Sequence, residues 1–426
     1  MMKRNIQILA ALLLLFLSSC ANDPQDNKAK YVFYFIGDGM GFSHIALTEA
    51  YIAEAVTPGE ADEPSSFPLC FTQFPVMGMA TTYSASNWIT CSSAAGTALS
   101  TGFKTGNHML GVLPDSTELT SISYMIHNAG RNVGIMSNVP IDHATPACFY
   151  ASSASRSDYF NVASQMPASG FEFFAGGGLY GVKGVDAQDS TKRLELEKMI
   201  ADAGYTIAYG MDDYKSKKDN RGKMVLVQSG TLRGETLPYA SDRELTDMSL
   251  RDMVEAAIER LDDGKGFFIM AEGGMIDWAA HDNDVANTIY EIIDMDQAIR
   301  VAYDFYLEHP DETLIVVTAD HETGGVSIGR GSGYTIELEN VPAMKSDTTK
   351  SNLTLDNYMH GPEQLDSVSV KTKIGWTTSS HCGGAVPVFA IGAGSLQFAG
   401  RQNNTDIPRK ICSAMGIEFN PEMKKH

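Results

Sequence analysis

The feature that most constrains this chain is a recurrence of short, continuously apolar runs, rich in β-branched and aromatic residues and separated by helical stretches. Tyr31–Ile36, Val133–Met136, Met224–Val227, Phe267–Ala271, Leu314–Thr318 and Pro387–Ile391 are such runs. A strand that is apolar on successive residues must be covered on both faces, as happens when a parallel sheet lies between helical layers. Two helices are predicted among these runs. One follows Ser241-Asp-Arg-Glu244, a capping-box spacing, and carries Leu250, Met253, Ala257 and Leu261 at helical period. The other carries Ile289, Ile292, Met295, Ile299, Ala302 and Tyr306. Both stripes read as core faces. The expected fold is α/β, a largely parallel central sheet with helices on both faces. Residues 322–380 break the rhythm with Gly, Ser and Thr, and read as an insertion rather than a separate domain.

Composition narrows the function classes. The chain has 426 residues, 43% hydrophobic and 20% charged, which excludes a disordered or fibrous protein. Its formal net charge is −20, the wrong sign for a phosphate-backbone binder, so nucleic acid is not an expected partner. Near the N-terminus, Lys3 and Arg4 precede the apolar run Ile8–Leu17. That run is shorter than the ~18 residues of a membrane span and reads as a secretory signal over residues 1–19. Its end, Leu17-Ser18-Ser19-Cys20, resembles a bacterial lipobox. The resemblance implies cleavage before Cys20, acylation of its thiol and membrane attachment outside the cytoplasm. The absence of Asp after Cys20 points to the outer membrane, with a polar tether over residues 20–30. Cys70, Cys91, Cys148, Cys382 and Cys412 are widely spaced and contain no CxxC, so no thiolate zinc site is expected. Most are expected to be free, buried thiols.

In a parallel α/β sheet, ligands bind beyond the carboxyl ends of the strands. The polar residues just after each apolar run therefore matter most. Tyr31–Ile36 runs into Gly37-Asp38-Gly39-Met40-Gly41. Phe267–Ala271 ends in Glu272, and Asp277 and His281 follow at i,i+4 spacing, which on a helix places them on one face. A carboxylate and an imidazole so placed suit zinc. Leu314–Thr318 ends in Ala319-Asp320-His321-Glu322. Ser92 and Ser93 stand among small residues just before a predicted helix, where amide donors and the positive end of the helix dipole lie close. His143 and Thr145 precede Arg156 by thirteen and eleven residues, and His381 stands before Cys382-Gly-Gly. Taken singly, each of these also reads as a turn residue, a helix cap or a structural histidine.

Together and in this order, they resemble the alkaline phosphatase family from about Tyr31 to Gly392. The strongest pieces are the GDGMG start, the Glu272/Asp277/His281 segment and Thr318-Ala-Asp320-His321. The resemblance implies a three-layer α/β sandwich over residues 31–426 and a site holding two zinc ions and one magnesium ion. One zinc falls to Asp277, His281 and His381, the second to Asp38, Asp320 and His321, and the magnesium to Asp38, Thr145 and Glu272. Ser92 is the implied nucleophile, kept in preference to Ser93 by the downstream match at Ser100-Thr-Gly102 and Lys104. Arg156 is the implied phosphate-binding residue. The implied reaction is hydrolysis of small-molecule phosphate monoesters through a phosphoserine, in an enzyme that is commonly a homodimer. The physical logic stands beside the resemblance. Serine is a weak nucleophile until activated, two metals can stabilise both apical oxygens of an in-line displacement, and an arginine fork matches two phosphoryl oxygens.

The chain departs from the usual family pattern at Cys91 and from its best-known bacterial form at two further positions. Cys91 replaces the Asp that usually precedes the nucleophile and helps to orient the arginine, which predicts a looser Arg156. His143 and Trp278 stand where the best-known bacterial form has an Asp and a Lys near the third metal, and at His143 the chain resembles the animal and cold-adapted marine branches instead. His143 then either contacts the magnesium shell through water or recruits zinc there, and Trp278 packs near the substrate. The alternatives are a phosphodiesterase or sulfatase of the same superfamily, disfavoured by Thr145, Glu272 and Arg156, and a lipid-anchored protein that only captures phosphate.

Overall fold

The computed structural model describes residues 28–56, 67–182, 190–228, 232, 236–331, 333–343 and 362–424. The signal segment, Cys20 and most of the predicted tether lie outside the described residues. Ala29 is buried and its N–H bonds Ala414 O, so the packed fold begins slightly before Tyr31.

Ten strands form one sheet: β1 (Tyr31–Gly37), β2 (Val76–Thr81), β3 (Asn132–Ser137), β4 (Phe173–Gly176), β5 (Tyr205–Tyr209), β6 (Lys223–Val227), β7 (Phe267–Gly273), β8 (Thr313–Thr318), β9 (Val386–Gly392) and β10 (Gly400–Asn403). Their order is β10-β2-β9-β8-β1-β7-β3-β4-β6-β5. Only β9 runs antiparallel to its neighbours β2 and β8; the other pairs are parallel. The six apolar runs all lie in this sheet. β1, β7 and β8 are buried along their whole length. Successive residues of β1 meet opposite layers: Phe33 packs on Phe305 at 5.5 Å between ring centroids, and Tyr34 on Phe149 at 6.0 Å. This two-sided burial is what the unbroken apolar runs encode.

Four of the helices around the sheet are α1 (Ser92–Thr101), α2 (Leu250–Leu261), α3 (Met275–His281) and α4 (Val285–Glu308). Every residue of α1 is buried, and its small side chains allow close approach: a Cβ on Gly96 would stand 3.0 Å from Cys148 Sγ. α2 begins later than the sequence predicts. Its capping box is Ser249 with Asp252, which exchange side-chain-to-backbone hydrogen bonds of 3.1 and 2.8 Å, and Ser241–Glu244 lies in the preceding irregular segment. The predicted stripes of α2 and α4 are buried, apart from half-buried Tyr306.

Within 322–380, the pairs Glu322–Thr323 with His381–Cys382 and Ser327–Ile328 with Ile374–Gly375 return the chain to its starting point. Val326, Leu338, Leu365, Val368 and Ile374 pack with Val285 and Ile289 of α4 in a second apolar cluster. Residues 344–361 of this span lie outside the described residues. Among the described residues no helix is long and apolar enough to cross a membrane.

Candidate metal centre and active site

Parallel register brings the carboxyl ends of the central strands together. Ile36 of β1 stands beside Glu272 of β7 and Thr318 of β8, and Ser137 of β3 stands beside Glu272. Asp38, two residues past Ile36, and Asp320, two past Thr318, therefore emerge at one edge of the sheet beside Glu272. α3 starts directly after β7 and carries Asp277 and His281 on one face. The short pair Thr323↔His381 carries His381 across to them.

Three groups of metal-ligating side chains result: Asp277, His281 and His381; Asp38, Asp320 and His321; Asp38, His143 and Glu272. In the first, His281 Nε2 lies 3.4 Å from Asp277 Oδ2, His381 Nε2 lies 3.8 Å from Asp277 Oδ1, and the two Nε2 atoms are 3.1 Å apart. In the second, His321 Nε2 lies 3.4 Å from Asp38 Oδ1 and 3.1 Å from Asp320 Oδ2. Ligands at 2.0–2.1 Å from a tetrahedral zinc stand roughly 3.3 Å apart, so both groups have the right span. In the third, Thr145 Oγ1 is 3.5 Å from Asp38 Oδ2, and Ser137 Oγ donates to Glu272 Oε2.

Buried polar chemistry independently fits cations at these points. Asp38 Oδ1, Asp320 Oδ2 and Glu272 Oε1 are buried and make no hydrogen bond with the protein. Burial and mutual repulsion push Asp38 well up, and raise Asp320 to about 7 and Glu272 to about 8. Such clustered carboxylates require either protons or metal ions. Asp277 differs. Burial pushes it up, but the hydrogen bond from His281 and the imidazoles around it outweigh burial and hold it below the usual carboxylate range. The imidazoles are oriented for metal. His281 Nδ1 bonds Ser379 O at 2.8 Å and His381 Nδ1 bonds Thr90 O at 2.8 Å. His321 Nδ1 meets Thr323 Oγ1 at 3.2 Å, and that hydroxyl donates to Asp277 Oδ1 at 2.5 Å. Each bond holds a ring proton on Nδ1 and turns Nε2 toward the site, where a metal ion would take the place of the proton that His281 shares with Asp277, the usual arrangement of ligating histidines.

Ser92 opens α1, and its Oγ lies 3.4 Å from His321 Nε2 and 3.5 Å from Arg156 Nη1. Ser93 turns away to Cys91 Sγ at 3.3 Å. The structure thus places Ser92, and not its neighbour, against both a ligand group and the arginine.

Comparisons with known proteins agree with this geometry. The sequence profile of the alkaline phosphatase family matches residues 29–417. Alkaline phosphatase 3 of Bacillus subtilis is 32% identical over 91% of this chain and 89% of its own length. The chain belongs to the alkaline phosphatase family. Its fold is likewise similar to that of a solved cold-active alkaline phosphatase of a psychrophilic Shewanella, with a TM-score of 0.75 and 28% identity over 90% of this chain and 99% of that one. The solved enzyme of the Antarctic bacterium TAB5 has a TM-score of 0.71 and 29% identity over 92% and 99%. A TAB5 variant in which a histidine is replaced by glutamate has magnesium bound in the site called M3. As a member of this family the chain is a phosphomonoester hydrolase that uses metal ions.

In this alkaline phosphatase the departures from the family pattern acquire a structure. Arg156 does not lose its anchor with Cys91: its Nη2 lies 2.9 Å from His143 Nε2. His143 Nε2 accepts there, and Trp278 and Tyr180 stand edge-on to its ring. Trp278 thus packs on His143. Cys91 Sγ instead accepts from His108 N at 3.1 Å. All five cysteines of the described residues are free, and four of them are buried. Sequence reasoning missed Thr323, Ser137 and the carbonyls of Thr90 and Ser379. Thr323 had a signal, standing two residues after His321. The carbonyls had none, because their role depends on tertiary placement.

Proposed function

We propose that this alkaline phosphatase cleaves phosphate monoesters through a phosphoserine on Ser92, at a centre of two zinc ions and one magnesium ion outside the cytoplasm. Asp277, His281 and His381 would hold one zinc, and Asp38, Asp320 and His321 the other. Asp38, Thr145 and Glu272, with His143 beside them, would hold magnesium. Bound there, the ions supply Lewis acidity, lowering the pKa of a hydroxyl and offsetting charge on the transferring phosphoryl group.

The chain's own residues do the rest. Ser92 Oγ forms a bond to phosphorus as the bond to the leaving oxygen breaks, and that oxygen takes a proton and departs as the alcohol. Water then adds to phosphorus, the bond to Oγ breaks, Ser92 regains its proton and inorganic phosphate leaves. Arg156 grips two non-bridging oxygens, and His143 keeps its fork aimed at Ser92. The first backbone N–H groups of α1 favour the anionic group at its N-terminus.

The observation that carries this reading is the position of Ser92 Oγ between His321 and Arg156. Acid-quenching the enzyme during turnover of an aryl phosphate, then digesting it for mass spectrometry, should find one phosphoryl group on Ser92. A label on Ser93, or none while turnover continues, contradicts the assignment. The lipobox-like end at Cys20 supports attachment to the outer membrane through a lipid, and the family resemblance supports a homodimer. Detergent partitioning of the wild-type and Cys20→Ala forms tests the first, and sedimentation tests the second.

A further inference from the structure

α3 has to present Asp277 and His281 together, yet it is only seven residues long and its N-cap is a glycine, Gly274. A helix that short has little stability of its own, and the first N–H groups of any helix lack partners within it. The partner here comes from another strand. Asn138, the residue after β3, accepts from Gly274 N at 2.7 Å and Met275 N at 3.1 Å through one oxygen, Oδ1. Its own N–H donates to Glu272 O at 3.3 Å. Its Nδ2 donates to Glu291 Oε2 at 2.9 Å, and Glu291 Oε1 accepts from Ala240 N at 2.6 Å. The two backbone donors fix which way the carboxamide points. Asn138 is 1% exposed and Glu291 0%.

We infer that Asn138 and Glu291 are positioning residues, which fix the first turn of α3 and so set Asp277 and His281 against Glu272. The dipeptide Ser137-Asn138 grips both sides of the centre: Ser137 bonds the Glu272 carboxylate, and Asn138 bonds the strand end and the helix start. Glu291, on α4, locks the carboxamide from behind. The neighbouring Arg243–Asp294 pair, bidentate at 2.6 and 3.2 Å, braces the same stretch of α4. Burial, and then the charge of Asp294, raise Glu291 to about 8. A buried carboxyl that spends both oxygens on Asn138 Nδ2 and Ala240 N points to an orienting role.

The inference rests on the proposed zinc at Asp277, His281 and His381. The test uses the full chain as wild type, Asn138→Ala and Glu291→Gln. Glu291→Gln keeps the volume but sets its NH2 against one of the two donors, Asn138 Nδ2 or Ala240 N, that the carboxylate oxygens now accept from. Zinc affinity is read by competition with a chromophoric chelator, ligand geometry by the absorption spectrum of the cobalt-substituted protein, and folding by thermal melting. The zinc at Asp277, His281 and His381 should bind roughly 10–100-fold more weakly in both variants, with an altered cobalt spectrum and a larger effect on kcat than on KM. Wild-type zinc affinity and cobalt spectrum in a folded variant overturn the inference. Failure of both variants to fold also overturns it, by making the pair purely structural. A wild-type protein that binds no zinc would instead overturn the metal-centre reading itself.

Discussion

The two zinc-type ligand groups lie side by side but are built differently. Asp38, Asp320 and His321 are fully buried, and they stand just past the ends of two adjacent central strands. Asp277, His281 and His381 come from a short helix and a two-residue strand pair, and the side chains of His281 and His381 are 36% and 14% exposed. Sheet register places the inner group. The outer group depends on hydrogen bonds from loops, at Ser379 O, Thr90 O and Asn138. The contrast suits the chemistry. The inner group lies against Ser92, the proposed nucleophile, and the outer group is the more open to solvent, where a leaving alcohol and an entering water would pass.

The sharpest way to break this contrast is Asp38→Asn. Asp38 serves both the inner group and the third group, so turnover should fall by at least roughly 10³-fold, and metal analysis should show both of those ions lost and the outer zinc retained. Loss of all three ions together would mean that the groups are not separate.

The protein stripped by chelator should then show the contrast in its pH dependence. Asp320 and Glu272 have folded pKa values raised to about 7 and 8, so the metal-free fold binds those protons more tightly than the unfolded chain. The buried His44 and His143, lowered to about 4 and 3, oppose this at acid pH, so stability should fall as pH rises from about 6.5 to 8. Thermal melts of the metal-free protein should drop by several degrees across that range, and zinc should abolish the drop. A melting point that rises instead would reverse the assignment.

A smaller effect should follow Thr323→Val, which removes the hydroxyl joining His321 to Asp277. Zinc affinity should fall roughly 10-fold or more at both groups, as read by chelator competition. The smallest is His143→Asp. An oxygen ligand suits magnesium better than imidazole does, so the third group should shift toward magnesium, while the loss of the Arg156 anchor raises KM a few-fold. Metal analysis with a monoester rate assay checks both.

Six of the ten strands were legible as unbroken apolar runs, which have few other uses, whereas β4, buried throughout, and β5 at the sheet edge were not. β2, with exposed Met77 and Met79, was not legible, nor was β10, whose sequence GRQN is polar and lies on the sheet edge. The α2 start was misplaced because Ser241 and Glu244 have capping-box spacing in an irregular segment, whereas Ser249 and Asp252 form the real box. The ligand side chains were legible because strand ends advertise them and the family pattern orders them. What orients them was not, because Asn138, Ser137 and two carbonyls acquire their roles only when the strands pack side by side.

The central claim is that these separated segments form one metal-dependent phosphomonoesterase. Titrating zinc into the metal-free protein, with magnesium present, while following aryl phosphate turnover tests it most directly. The account predicts no turnover without zinc and a rise to full rate that completes with the second zinc per chain. Turnover that persists without metal, or that saturates with no zinc bound, would contradict it.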